Sequence, residues 1–79
     1  MHSVATADQV LDTRGSYCPA PILQARQAID GLASGRALKV LADDPAAEED
    51  IKRWAKRVGH DLLEMRWEDG YLVALIRKS

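Results

Sequence analysis

The sequence predicts an α/β (α+β) two-layer sandwich of βαβαββ order, with both helices on one face of the sheet. Three observations predict it. Residues 19–32 and 45–58 carry apolar side chains at helical spacing. Residues 9–12, 37–42, 62–68 and 71–77 read as short strands, the last two flanking Asp69-Gly70, a strong tight-turn signal. Right-handed crossovers that progress in one direction across a sheet put their helices on the same side. The other sheet face is then left open to solvent.

Gln9–Asp12 forms the first strand candidate. The segment Arg14-Gly15-Ser16-Tyr17-Cys18-Pro19-Ala20-Pro21 then leads into a helix over 19–32. Gly15 lets the chain turn tightly out of the strand. Pro19 suits a first helical position, because the N–H it lacks has no use there. Cys18 therefore falls at or next to the N-cap, and Pro21 stiffens the first turn without adding a donor. Ile22, Ala25, Ile29 and Leu32 share one face, with Gln24, Gln27 and Asp30 on others. Gly31 and Gly35, around Ala33-Ser34, end the helix.

Ala37–Ala42 forms the second strand, with Leu38, Val40 and Ala42 on one face. Asp44 is placed as N-cap and Pro45 as first residue of the second helix. Glu48, Glu49 and Asp50 near its start, and Lys52, Arg53, Lys56 and Arg57 further on, suit the helix dipole. Ile51, Trp54, Ala55 and Val58 make an apolar stripe, so Trp54 reads as core, and Gly59 stops the helix. With Asp69-Gly70 as the two-residue loop, Trp67 faces Leu72, Met65 faces Ala74 and Leu63 faces Ile76. On the other face Glu68 meets Tyr71, Arg66 meets Val73, Glu64 meets Leu75, and Leu62 meets Arg77. The open face is expected to carry Leu41, Tyr71, Val73 and Leu75 among charged residues. That apolar group suggests a secondary contact surface or a weak dimer site on an otherwise monomeric protein.

Seventy-nine residues make one small domain, here 8–79 behind a flexible tail at 1–7. A chain of this size buries only about 60% of its unfolded surface. Eleven basic side chains against twelve acidic ones give a net charge of −1, which argues against direct nucleic-acid binding. No apolar run reaches bilayer-spanning length, and the first seven residues have neither the basic start nor the apolar core of a signal peptide. The single cysteine excludes an internal disulfide and a Cys-x-x-Cys pair, and points to the reducing cytoplasm. No metal site or cofactor is expected. His60 follows the helix stop, where an interaction with the dipole is its ordinary use.

A lone cysteine is most often a small buried hydrophobe. At a strand-to-helix junction between prolines, Cys18 instead reads as an exposed thiol. Helix N-termini favour the thiolate, the reactive form.

These residues together resemble the TusA/SirA-like family of small sulfur-carrier proteins. The resemblance rests on Leu11-Asp12, Arg14-Gly15, Cys18-Pro19-x-Pro21 and Arg26, then Asp43-Asp44-Pro45, Asp50-Ile51, Gly59-His60 and Leu75-Ile76-Arg77-Lys78. It implies a four-stranded mixed sheet whose last strand lies between the second and third. It also implies that Cys18 is the catalytic residue, with Arg14, Gly15, Pro19 and Pro21 supporting it. On this resemblance Cys18 accepts sulfane sulfur as a persulfide from a cysteine desulfurase or rhodanese-like donor protein and passes it to an acceptor protein. Family destinations include tRNA thiolation, molybdenum cofactor chemistry and sulfur oxidation. Ser16-Tyr17 departs from the family pattern, where an apolar residue followed by a small or basic one is common. Arg14 has two candidate uses: holding the loop by pairing with Asp12, or steadying a persulfide anion. Arg26 is either a solvated helix residue or a partner contact. A different class of reading is a non-catalytic regulatory or RNA-associated interaction module on the same fold.

Overall fold

In the computed structural model, which describes residues 7–17 and 20–79, β1 (Gln9–Asp12), α1 (Ala20–Asp30), β2 (Ala37–Ala42), α2 (Ala47–Val58), β3 (Asp61–Glu68) and β4 (Tyr71–Arg77) follow one another in the expected order. They build a four-stranded sheet of order β1-β2-β4-β3. β1 and β2 are parallel, and β4 pairs antiparallel with both β2 and β3. The last strand thus lies between the second and third. The frayed tail expected at 1–7 falls almost wholly outside the described residues. From Asp8 the chain is tied down: its N–H donates to the Ala37 carbonyl at 2.9 Å, and its carboxylate accepts the Ala37 N–H at 2.8 Å.

The core lies between one sheet face and the two helices. Leu38, Val40, Ala42, Leu72, Ala74 and Ile76 meet Ala25 and Ile29 of α1 and Ala47, Ile51, Trp54 and Ala55 of α2. Ile22 and Leu32 are half-buried against this cluster. The regular turns of α1 end at Asp30, two residues before Leu32, because the amides of Gly31 and Leu32 bond three residues back to Ala28 and Ile29. The Lys78 ammonium donates to the Leu32 carbonyl at 2.7 Å and the Asp30 carbonyl at 3.3 Å. A cation from the chain's far end thus satisfies carbonyls that a helix C-terminus leaves unpaired.

The regular turns of α2 begin at Ala47, not Pro45. Asp44 is not the cap that was expected: Ala46 stands at the cap position with no side-chain cap bond, while the Asp44 carboxylate accepts the Ala46 N–H at 3.0 Å and its carbonyl accepts the Ala47 N–H at 2.9 Å, in a tighter turn just ahead of the helix. Gly59 closes α2 in the left-handed region, with its own amide and that of His60 both on the Ala55 carbonyl at 2.9 Å. Trp54 is buried and meets the His60 ring edge-on, with centroids 5.5 Å apart.

Two expectations for the sheet need correction. The hairpin register holds from Glu68–Tyr71 to Glu64–Leu75 but then shifts across a bulge, pairing Leu62 with Ile76 and Asp61 with Arg77. Leu63 does not face Ile76. The bulge turns Leu62 toward the core and leaves Leu63 exposed, and it brings the Asp61 carboxylate to 2.6 Å from Arg77 Nη2. The open sheet face also presents far less apolar surface than expected: Val73 is 1% and Leu75 4% exposed. Their cross-strand partners are Arg66 and Leu41, and Glu64 and Lys39. Arg66 is held between Glu64 and Glu68 by ion pairs. Long charged side chains of this kind lay their aliphatic stems over apolar neighbours.

Candidate functional site

Two loops leave the C-terminal ends of the parallel strands β1 and β2: residues 13–17 run to α1, and residues 43–46 run to α2. The first is anchored at its base by Thr13, a buried residue. Its N–H and hydroxyl both donate to the Leu41 carbonyl, at 2.7 and 2.6 Å. The chain then turns back on itself, with the Ser16 N–H on the Thr13 carbonyl at 3.1 Å.

Arg14 pairs with Asp12 beside this turn. Its Nε donates to Asp12 Oδ1 at 2.9 Å and its Nη2 to Asp12 Oδ2 at 2.8 Å, and the Asp12 carboxylate also accepts the Arg14 N–H at 3.0 Å. The guanidinium lies 4.8 Å from the centroid of the Tyr71 ring. These bonds, side chain first and backbone second, lower the Asp12 pKa from 3.8 to about 2, and Asp12 in turn raises that of Arg14. Of the two uses considered for Arg14, the geometry displays the loop-holding one. The pair is solvent-exposed, so its value is orientation more than stability.

Gly15 sits at φ 89° with open space where a side chain would start, so glycine is needed here for the backbone angle. Its N–H donates to both oxygens of Asp43, at 3.0 and 3.1 Å. Tyr17 is 76% exposed, and its carbonyl accepts the N–H of Ala20, the first residue of α1, at 2.8 Å. Pro21 is fully buried in the first turn of α1. Cys18 and Pro19, predicted as N-cap and first helical residue, lie outside the described residues.

Sequence reasoning missed Asp43, Thr13 and Tyr71 as neighbours of this loop. Asp43 carried a signal: in Asp43-Asp44-Pro45 one aspartate suffices as a cap, which leaves the other for something else. The remaining candidates lie elsewhere. Arg26 is exposed on α1, where with Leu23, Gln27 and Asp30 it lines an open groove of about 220 Å³. His60 is at the opposite end of the sheet, its Nδ1 accepting the Ser79 N–H at 3.2 Å. Among the described residues no three His, Cys, Asp or Glu side chains gather as a metal site, and no helix is long and apolar enough to cross a membrane.

Comparison with known proteins connects this loop with a family. The family model described as sulfurtransferase TusA matches residues 9–78. The chain is 41% identical to the sulfur carrier protein TusA of Allochromatium vinosum, over 96% of this chain and all of that one. It is 43% identical to the putative sulfur carrier protein YrkI of Bacillus subtilis, over 92% of this chain and 97% of that one. Its fold matches the crystal structure of a SirA-like protein from Desulfitobacterium hafniense with a TM-score of 0.80 at 25% identity, over 87% of this chain and 95% of the other. With the model spanning nearly the whole domain and relatives aligned almost end to end, the chain belongs to the TusA sulfurtransferase family.

Proposed function

We propose that the protein is a sulfur carrier that holds sulfane sulfur on Cys18 as a persulfide and relays it from a donor protein to an acceptor protein. The family match over residues 9–78, which contains the Cys-Pro-x-Pro segment 18–21, carries this reading. The Cys18 thiolate attacks the outer sulfur of a persulfide on the donor. The donor's S–S bond breaks, its cysteine leaves as a thiolate, and a new S–S bond stands on Cys18. An acceptor thiolate then attacks that outer sulfur and Cys18 returns to the thiolate. Each step exchanges one S–S bond for another, so no external oxidant or reductant is consumed.

The protein's own contribution is to present the thiol and to favour its ionised form. α1 begins at Ala20, two residues beyond Cys18, and a helix N-terminus stabilises a nearby anion. Arg14, already paired with Asp12, positions the loop. No second cysteine is present to resolve the persulfide into an internal disulfide. The donor is a cysteine desulfurase or a rhodanese-like protein. The acceptor belongs to a cytoplasmic sulfur pathway such as tRNA thiolation, molybdenum cofactor chemistry or sulfur oxidation. The covered open face supports a monomer, since Val73 and Leu75 offer little surface to a second copy.

Intact-mass analysis after incubation with a cysteine desulfurase and cysteine tests the proposal. Wild type gains the mass of one sulfur atom. Cys18→Ser keeps the fold, because serine is also a good N-cap, and gains none. Sulfur loading by a folded Cys18→Ser variant would defeat the carrier mechanism.

A further inference from the structure

We infer that Asp43 is a positioning residue for the Cys18 loop, setting the turn at Gly15 through its carboxylate. Asp44 accepts an amide from its own helix entry, at Ala46. Asp43 reaches across to the neighbouring loop, where its two oxygens share the Gly15 N–H.

The loop needs such a tie at its tip. Thr13 fixes only the base, through Leu41. Arg14 is hydrogen-bonded to Asp12, two residues back, and its contact with the Tyr71 ring of β4 is a cation–ring contact that does not fix a backbone angle. Tyr17 is too exposed to hold the tip by packing. Among the described residues, Asp43 makes a side-chain bond that fixes the tip of the turn to the end of β2, at a position three residues before Cys18 in the sequence. A carboxylate accepting a backbone N–H is a charge-assisted bond, stronger than a neutral one. The positive charge of Arg14 also lies close enough to feel Asp43. Glycine visits positive and negative φ about equally readily, so the residue alone does not choose the φ of 89° seen at Gly15, and an amide bonded from outside the turn selects it from the alternatives.

This inference rests on the carrier reading, and its test separates the two. Asp43→Ala and Asp43→Asn are compared with wild type for sulfur loading by a cysteine desulfurase, for the pH dependence of Cys18 alkylation by iodoacetamide, and for the urea midpoint. Asp43→Ala lets the loop sample other conformations, so loading slows roughly threefold to tenfold, as expected for the loss of one exposed charge-assisted bond. Its alkylation inflection moves toward the free-thiol value, because the segment leading to Cys18 is no longer fixed at Gly15. Asp43→Asn keeps an acceptor oxygen and restores most of both, which an effect of charge alone would not do. Loading that falls only in step with the urea midpoint, or an alanine variant matching wild type in loading and inflection, overturns the inference. If wild type itself takes up no sulfur, the carrier reading falls, and the alkylation inflections still decide the role of Asp43.

Discussion

Thr13→Val probes the base of the cysteine loop with little change of shape. The threonine hydroxyl donates to the Leu41 carbonyl at 2.6 Å, and the backbone N–H of the same residue donates to that oxygen at 2.7 Å. Valine removes the hydroxyl bond but leaves the carbonyl paired with the amide, so no buried acceptor is orphaned. The loss is therefore that of one ordinary neutral hydrogen bond, about 1 kcal/mol. Thr13→Ala also deletes a buried methyl, adding about 0.8 kcal/mol of transfer free energy and a small cavity term. The alanine variant should thus lose about 2 kcal/mol. In a domain of this length each kcal/mol lowers the melting temperature by about 4–8 °C. Urea denaturation followed by tryptophan fluorescence measures both variants, and the slope should not change. A valine variant as stable as wild type would show that the hydroxyl contributes nothing. A valine loss as large as that of alanine would show that burial of the Thr13 methyl contributes nothing.

Two further outcomes follow from the same bonds and caps. Asp12, held at about 2 by Arg14, contributes its stabilisation fully above the ordinary carboxylate value of 3.8 and loses it as pH falls through about 2; carboxyl NMR titration should show Arg14→Gln returning Asp12 toward 3.8, with the acid-induced loss between those limits reduced. Lys78→Met keeps the aliphatic stem but removes the donor to the Leu32 and Asp30 carbonyls, so it should cost about 1 kcal/mol in thermal denaturation and speed amide exchange at Gly31 and Leu32; unchanged exchange there would count against the cap.

Local signals were legible where both partners of an interaction lie within a few residues. The Gly59 stop could be placed because a helix C-cap joins residues one turn apart. Asp69-Gly70 set the register of the strand ends beside it, from Glu68–Tyr71 to Glu64–Leu75. Beyond Glu64 that control lapsed. The bulge depends on which of Leu62 and Leu63 the helix layer accepts, and hairpin alternation carries no information about that layer. The covering of Val73 and Leu75 was hidden for a similar reason: it needs Arg66, Lys39 and Glu64 from two other strands to lie beside them.

For the candidate site the division is sharper. By itself the sequence determined the order of elements, the amphipathic faces and the single thiol in its Cys-Pro-x-Pro setting, and it offered Asp12 as one of two uses for Arg14, because each follows from neighbours along the chain. Only the tertiary structure decided that Asp43 holds Gly15, that Thr13 hangs from Leu41 and that Tyr71 lies under Arg14. Gly15 and Asp43 are 28 residues apart, and Arg14 and Tyr71 lie in β-strand neighbourhoods that meet only through β2. The physical reason is that the parallel pairing of β1 with β2, and the insertion of β4 beside β2, bring these loops together, and both arrangements are set by burial of one shared core.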